Sequence, residues 1–391
     1  MKKSITLAAL MLCAAPILCA EEASEPKFEV KPTGRILLDG ALYASPQKEL
    51  FADGVAIPDA RLGVKMKYGK WSAKIDVGFA YNKVGLKDLY FQYDLNDNSF
   101  LRLGSFIHQY GLQSATSSSM KPTMEEPISN GVFNDSRQIG LMYEYANDKF
   151  LATASLHAEP KATSVVLAPD QFTKEGYGFR SRLVAHPICE PGKVVQIGFS
   201  GGFATPQNVN DSQTDHNSFQ FKSNFPTRVA QVTAIDATVG NAKNLWKFTP
   251  ELLLNYGPVA LEAQYYFMQV NRRQPDVAIA KLNPYKGQGA YCTLRGLLIG
   301  QSYEYDKFGG GLATPRPGNL ELVLDYNYTT LTDSKAFVFG GRLNDISATV
   351  NYYINKYVIA RLHYSYTHTW GTDFAGPRTL NGFMARLQII F

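Results

Sequence analysis

Long hydrophobic runs are missing from the chain beyond its first twenty residues. No stretch of about 18 uncharged apolar residues follows Ala20, so the sequence predicts no membrane-spanning helix. Cysteine is also scarce, because Cys13 and Cys19 lie near the N-terminus and only Cys189 and Cys292 remain beyond it. An oxidising compartment would permit a disulfide between these two. One of them lies in a predicted turn and the other in a predicted strand, which disfavours the bridge.

An excess of charge of one sign is missing as well. The formal net charge of the 391 residues is +5, and removing Lys2 and Lys3 from the 39 basic residues leaves 37 against 34 acidic ones, or +3. The sequence contains neither a basic helix nor a cluster of arginines. Nucleic acid is therefore not an expected partner.

Motifs for catalysis or for metal binding are also lacking. None of the 6 histidines stands in a recognisable nucleophile motif. His363 and His368 are five positions apart, but no cysteine or carboxylate joins them at ligand spacing. The glycines at 309–311 lack the Lys-Ser/Thr pair that a nucleotide site requires. The sequence therefore predicts no enzyme, no metal site and no cofactor.

The N-terminus has the pattern of a secretory signal peptide. Lys2 and Lys3 precede an apolar run at residues 5–18, and the Leu-Cys-Ala sequence before Glu21 is a tolerable cleavage site. We therefore expect residues 1–20 to be a cleaved signal peptide. Residues 21–391 show no linker, charge block or shift in composition, which indicates a single domain.

The most informative pattern in the chain is the alternation of apolar and polar residues that is typical of β-strands. Apolar side chains occupy every second position between residues 71 and 81, and residues 383–391 alternate in the same way and end on Phe391. Such an end resembles the closing strand of a bacterial outer-membrane barrel. The 23 Tyr and 23 Phe would suit its aromatic girdles. The alternation predicts sixteen strands, the first at 34–43 and the second at 59–68.

Short and long connections alternate between these predicted strands, as in barrels with short periplasmic turns and longer extracellular loops. The long segments are residues 113–136, 159–176, 205–244, 272–288 and 369–379. Residues 301–318 are the exception, because they are long where a short turn is expected. The segment at 113–136 is the third outward loop.

Several segments, in order, resemble motifs of the phosphate-selective porin O and P family, including its Bacteroides-type relatives. They are VGLKDLY at 84–90, LRLGSF at 101–106, Met124-Glu125, SRQIG at 136–140, Glu251 and Glu262 around Gly257-Pro258, and RLQIIF at 386–391. The resemblance implies an all-β, antiparallel transmembrane barrel of about sixteen strands in the Gram-negative outer membrane. It also implies a third loop folded into the pore, a homotrimer, and passive diffusion of small solutes with a preference for anions or phosphate.

Inward-facing arginines and lysines are how anion pores select, and guanidinium groups suit phosphate because they donate bidentate hydrogen bonds. Alternation assigns twelve basic residues to the lumen: Arg35, Arg61, Lys65, Lys67, Lys74, Arg102, Arg180, Arg182, Lys247, Arg295, Arg361 and Arg386. Arg180 and Arg182, two apart on one face, are the best candidates for an anion-guiding pair. Glu251 and Glu262 are expected to neutralise nearby arginines.

The predicted constriction loop departs from the phosphate-selective members. It contributes Lys121, Glu125, Glu126 and Arg137, and the loop sets Lys121 against three acidic residues, Glu125, Glu126 and Asp135. A non-selective or sugar-type diffusion porin is therefore the alternative. A secreted β-protein outside the membrane and an outer-membrane enzyme are further alternatives with less support.

Overall fold

The structure is a computed structural model. It describes residues 26–81, 83–116, 121–158, 172–174, 176–206, 208–211, 214–274 and 281–391. The predicted signal peptide at residues 1–20 lies outside this part of the chain.

Sixteen antiparallel strands form one closed barrel, in which the first strand, β1 (Glu29–Ala44), pairs with the last, β22 (Arg378–Ile390), to complete the cylinder. The barrel strands are β1 (Glu29–Ala44), β2 (Gly54–Tyr68), β3 (Trp71–Ala80), β4 (Lys83–Asn96), β5 (Ser99–Phe106), β6 (Gln138–Ala146), β7 (Phe150–Ala158), β9 (Tyr177–Glu190), β10 (Lys193–Ala204), β14 (Ala242–Tyr256), β15 (Val259–Arg272), β16 (Tyr285–Ile299), β19 (Leu320–Asp333), β20 (Val338–Tyr353), β21 (Val358–Thr372) and β22 (Arg378–Ile390). The prediction of a sixteen-stranded barrel is thus confirmed.

The outer face of the barrel is apolar. Large hydrophobic side chains on alternate positions are exposed there, among them Leu62, Leu103, Leu183 and Leu362. Their neighbours on the same strands point into the barrel and are polar, as lipid outside and a polar lumen require. No helix in the described ranges is long and apolar enough to span a membrane.

The observed strands are longer than the predicted ones. β1 begins at Glu29 rather than at residue 34, and β2 begins at Gly54 rather than at residue 59. Alternation gives weak boundaries, because polar residues at a strand end resemble those of a loop. Cys189 and Cys292 are free thiols, so the disfavoured disulfide is not formed.

The region predicted as a long fifth outward loop, at residues 205–244, contains strands of its own. These are β11 (Asn208–Asp211), β12 (Thr214–Asn224) and β13 (Thr233–Gly240), which form a four-stranded sheet with β8 (Phe172–Lys174). Phe221 and Ile235 of this sheet join a buried cluster that also holds Phe133 of the third loop. The sheet therefore packs over the outer end of the lumen.

The described residues of the third outward loop (107–116 and 121–137) fold into the barrel, as predicted. It carries two short helices, α1 (Gly111–Ala115) and α2 (Ile128–Phe133). Gly111 has a φ of 76°, and a Cβ atom there would lie 1.7 Å from the side-chain nitrogen of Gln264 on the wall. Only glycine permits this conformation and this close approach. The ring of Phe133 stacks on Tyr266 of the wall, with centroids 5.4 Å apart.

Residues 300–319 form a second inward segment, which enters from the periplasmic end; we call it the periplasmic plug. The plug carries a small hairpin of β17 (Tyr305–Asp306) and β18 (Gly311–Leu312). Elsewhere, a 3-residue helix at Lys48–Leu50 lies in the first outward loop. Leu312 of the plug packs in one buried cluster with Leu112 of α1. The unexpectedly long inner connection predicted at 301–318 is therefore real, and it fills part of the lumen.

Candidate functional site

The lumen keeps an open cavity beside strands β1–β5. Its volume is about 470 Å³. Six cationic side chains line it: Arg35, Arg61, Lys65, Lys74, Arg102 and Arg137. Only two acidic side chains, Asp76 and Asp88, lie among the lining residues. The cavity wall is therefore positively charged, and the third loop closes it on one side with residues 114–116.

Like charges face each other directly across this wall. Arg35 is paired in register with Arg61, and Lys65 with Lys74. Cations directly opposite on neighbouring strands destabilise a sheet. Such an arrangement is expected where anions or acidic side chains share the space between them.

Acidic side chains compensate part of this charge. Asp59 accepts hydrogen bonds from Nε and Nη2 of Arg61, at 2.8 and 2.7 Å, and also pairs with Arg35. Asp88 lies 2.9 Å from Nζ of Lys74 and 2.6 Å from Nε of Arg137. These pairs hold the ends of the long side chains in place at the cavity.

Two cations of the cavity have no ion pair within the described ranges. Lys65 is exposed to the lumen space and makes no ion pair there. Arg102 donates from Nε and Nη2 to the amide oxygen of Gln92, at 3.1 and 2.7 Å, and its guanidinium carbon lies 4.5 Å from the ring centre of Tyr90. These two side chains present the least compensated positive charge. Lys67 lies on the same face as Lys65, exposed near the periplasmic end of β2.

A narrower space of about 40 Å³ continues from this cavity between the third loop and the wall near β1 and β22. Arg35 lines both spaces. The cations around the narrow space are Arg35, Lys121, Arg228, Arg361 and Arg386, against the single acidic side chain of Glu126. A space of this size holds only a few water molecules. We therefore treat it as the candidate constriction, and call it the constriction below.

Each acidic side chain of the third loop that was expected to make the constriction acidic is paired with a cation. Glu125 pairs with Arg386 and lies 2.9 Å from Nε of Arg228, and Glu126 pairs with Lys121. Burial alone would raise the pKa of Glu125, but the guanidinium groups of Arg228 and Arg386 outweigh it and bring the pKa down to about 2. Asp135 pairs with Arg180 and Lys247. The loop therefore presents little free negative charge.

Arg180 and Arg182 share one face, as predicted, but both guanidinium groups are buried. Arg180 pairs with Asp135, whereas Arg182 donates to both carboxylate oxygens of Glu251 at 3.0 and 2.6 Å. Arg182 also donates to the carbonyl oxygens of Gly309 and Gly310 in the plug. This geometry gives the pair a structural role, so their anion-guiding role stays a prediction that the geometry does not favour.

The remaining predicted lumen cations also hold the inward segments. Arg295 lies 2.9 Å from Glu262 and 2.8 Å from Glu321, beneath Tyr303 of the plug. Nζ of Lys247 donates to the carbonyl oxygen of Phe133 at 2.9 Å. Glu251 and Glu262 thus stand beside arginines, in the neutralising positions that the sequence suggests.

Arg361 and Arg386 bind the third loop at the constriction. Arg361 donates to the carbonyl oxygens of Lys121, Pro122 and Thr123, at 2.8 to 3.2 Å. Arg386 makes a bidentate pair with Asp39, at 2.7 and 2.6 Å, and also contacts Met124 and Glu125 of the loop. The two arginines face each other in register on β21 and β22. They therefore line the constriction and hold its loop at the same time.

Arg228 is the constriction residue that sequence reasoning missed. It lies in the turn between β12 and β13, in a segment predicted only as a loop, and it reaches Glu125 from the outer side. No periodicity marks such a position. Among the described residues, no group of three or more His, Cys, Asp or Glu side chains is placed to hold a metal ion.

A closed barrel with an apolar outer face, a charged lumen and an inward third loop defines the class of outer-membrane porins. The sequence profile of the family described as "Phosphate-selective porin O and P" matches residues 30–391. The chain belongs to this family, and it is a porin of the Gram-negative outer membrane. No curated protein sequence matches it.

Solved structures with the same fold include forms of OmpT, an outer membrane protein of Vibrio cholerae. A loop L8 deletion mutant of OmpT is 10% identical, with a TM-score of 0.58, and the alignment covers 93% of this chain and 99% of that one. The trimer form of in-vitro folded OmpT is 12% identical, with a TM-score of 0.53 and coverage of 93% and 99%. At these identities the likeness concerns the fold alone.

Proposed function

We propose that this porin passes small hydrophilic solutes by passive diffusion and prefers anions. The single observation that carries the proposal is the charge of the remaining path. Six cations against two acidic side chains line the wider cavity, and five cations against one line the constriction. Asp39, Asp59 and Glu125 pair with some of these cations from outside the lining, and cations still outnumber carboxylates along the path. An anion entering such a path loses part of its water shell and gains charge-assisted hydrogen bonds in return.

Phosphate is the anion that the family description suggests. Guanidinium groups can bind it through two parallel hydrogen bonds, and Arg35, Arg61 and Arg102 line one cavity. Asp59, Asp76 and Asp88 compensate several of the cations, however, which favours a weakly selective pore. A general diffusion porin is therefore the second candidate, and chloride and phosphate must be tested separately.

The test is the reversal potential of the purified protein in a planar bilayer under a potassium chloride gradient, followed by addition of phosphate. The proposal predicts a reversal potential displaced from zero toward the chloride equilibrium potential and a lower chloride current once phosphate is present. A chloride-selective pore that phosphate leaves unaffected would be a general anion porin. A potential near zero or on the potassium side would contradict the anion preference.

We also propose that the porin is a homotrimer, which the trimer form of OmpT suggests by analogy of fold. A shallow apolar groove of about 880 Å³ crosses the outer face at the barrel closure, where the small residues Gly40, Ala360 and Ala385 lie among exposed leucines. Such a face lets a second barrel approach closely. Ala360→Trp should convert the assembly to monomers in native mass measurements, whereas a similar change at Leu183 should not.

Two further inferences concern the whole chain. We infer that the chain is a non-enzymatic channel, because its polar lumen side chains are engaged in holding loops or in lining the path. We also infer that residues 1–20 are cleaved on export and that residues 21–391 form the mature barrel. N-terminal sequencing of the outer-membrane protein would test the cleavage, with Glu21 as the expected first residue.

A further inference from the structure

The least compensated arginine of the cavity is held by aromatic rings rather than by a carboxylate. The guanidinium carbon of Arg102 lies 4.5 Å from the ring centre of Tyr90, 4.8 Å from that of Phe100 and 5.5 Å from that of Phe106. Its hydrogen bonds go to the neutral amide of Gln92. Ring faces attract a cation without cancelling its charge. We call these three rings the aromatic cage.

The periplasmic plug reaches this cage from the other side. The ring of Phe308 lies 5.7 Å from that of Phe100, and both belong to one apolar cluster with Phe106. The ring of Phe100 therefore contacts both the guanidinium group of Arg102 and the ring of Phe308. Phe308 is the plug residue that supports the cage.

The tip of the plug is fixed by hydrogen bonds that do not involve the cage. Gln109 of the third loop donates to the carbonyl oxygen of Phe308 at 3.2 Å, and Arg182 donates to those of Gly309 and Gly310 at 3.0 and 2.9 Å. Gly310 has a φ of 58°, and a Cβ atom there would lie 2.9 Å from Nη1 of Arg182. The position of Phe308 is thus determined by the wall and by the third loop.

We propose that Phe308 is a positioning residue for Arg102, which sets the anion preference of the pore because the cage holds its charge without a salt bridge in the described part of the chain. Glu144 acts on Arg102 only from beyond salt-bridge distance. This inference rests on the proposed function, since it assumes an anion-preferring path. It adds a specific cause: the plug acts on selectivity through the rings of Phe308 and Phe100, as well as by occupying space.

The experiment compares the chloride-to-potassium permeability ratio of the full-length protein and four variants in planar bilayers. Arg102→Gln removes the charge, and Phe308→Ala removes the support for the cage. We expect Phe308→Ala to lower the ratio roughly two- to fivefold, the range of an exposed cation–π contact. Leu312→Ala is the matched control, because it loosens the plug elsewhere and should leave the ratio unchanged. The double variant Arg102→Gln with Phe308→Ala should equal Arg102→Gln alone.

The outcomes separate the inference from the function on which it rests. A wild-type ratio near one overturns the proposed anion preference and this inference with it. A selective wild type in which Arg102→Gln lowers the ratio and Phe308→Ala does not overturns the inference alone. So do equal effects of Phe308→Ala and Leu312→Ala, or fully additive effects in the double variant. If Phe308→Ala fails to assemble, Phe308→Leu removes the aromatic ring that contacts Phe100 while it keeps an apolar side chain for folding. A wild-type ratio in Phe308→Leu also overturns the inference, because the inference assigns the effect to the ring.

Discussion

Two halves of the lumen use the same residue types for different purposes. On the side of β9, β14 and β16, Arg180, Arg182 and Arg295 are buried, and each is paired with a carboxylate. Beside β1–β5, Lys65 and Arg102 border an open cavity without an ion pair in the described part of the chain. We refer to these as the packed half and the open half.

The difference between the halves shows that an inward-facing cation is not by itself a pore residue. In the packed half, the third loop and the plug bring their own carbonyl groups and carboxylates to the wall. A buried charge must be paired and hydrogen-bonded, so these arginines serve as anchors. In the open half the third loop and the plug border the cavity without filling it, and the same chemistry remains available to a solute.

The largest expected effect would follow from removing an anchor of the packed half. Arg182→Ala leaves Glu251 buried without its cation and frees the plug carbonyls of Gly309 and Gly310. Loss of one partner of a buried pair costs roughly 3–5 kcal/mol of unfolding free energy. Urea unfolding from lipid vesicles measures this loss. Lys65→Ala is the control, and its unfolding free energy should stay within about 0.5 kcal/mol of wild type. Equal unfolding free energies of the two variants would contradict the distinction between the halves.

Removal of the plug should convert the packed half into additional open space. Replacing residues 301–318 by a two-residue turn, such as the Gly257-Pro258 turn of this chain, exposes Arg182 and Arg295 to the lumen. We expect a larger single-channel conductance, because the cross-section of the water-filled path increases. An unchanged conductance would show that the plug does not limit the path.

A charge reversal in the open half should change selectivity without a comparable loss of stability. Lys65→Glu is expected to lower the chloride-to-potassium permeability ratio about fivefold, since unit charges 4 Å apart interact by about 1 kcal/mol in water. Arg180→Gln in the packed half should leave the ratio close to wild type while it lowers the unfolding free energy. The comparison is contradicted if Arg180→Gln shifts the reversal potential as far as Lys65→Glu does.

The smallest expected effect is the response of the constriction to acid. The pKa of Glu125 lies at about 2, below the ordinary value of 4.5, because Arg228 and Arg386 outweigh the effect of burial. The pairing is therefore complete above pH 4.5 and is lost as the pH falls toward 2. Protonation removes the partner of Arg228 and one of the two carboxylates that pair with Arg386, which keeps Asp39. The positive charge of the constriction therefore increases, and the chloride preference should rise in that window.

Arg228→Gln sharpens this acid test, because it removes the largest opposing charge and should move the transition toward pH 4.5. A series of reversal potentials between pH 2 and 6 measures the midpoint. A midpoint that is the same in wild type and in Arg228→Gln would show that Arg228 does not hold the charge of Glu125.

The fold could be predicted from the sequence because its main signals are local. Alternation marks strands, and Gly69 or Asn147 marks tight turns between them. The sheet of β11–β13 could not be predicted in the same way, because its strands contain many polar residues and lie within one long connection. The prediction of lumen-facing residues was equally local, since the pleat fixes the face of each side chain.

The candidate site could be predicted only in part, because contacts between distant segments decide which lumen residues remain open. Arg61 and Arg182 have the same pattern in sequence, yet Arg182 meets Gly310, which lies 128 positions away along the chain. The acidic residues of the third loop suggested an acidic constriction, because the sequence does not show which cations they pair with. Their partners, such as Arg228 and Arg386, come from remote strands and loops.

The most direct test of the open half is the modification of single cysteines in working channels. Starting from a variant with Cys189→Ser and Cys292→Ser, Lys65→Cys places a thiol in the cavity. Ser200→Cys places one in the packed half, where the Ser200 side chain is fully buried against the backbone nitrogen of Gly111. With an anionic, membrane-impermeant thiosulfonate, we expect a rapid drop in chloride current through Lys65→Cys channels and none through Ser200→Cys channels. Equal reactivity at both positions, or none at Lys65→Cys, would contradict the assignment of the pathway to the open half.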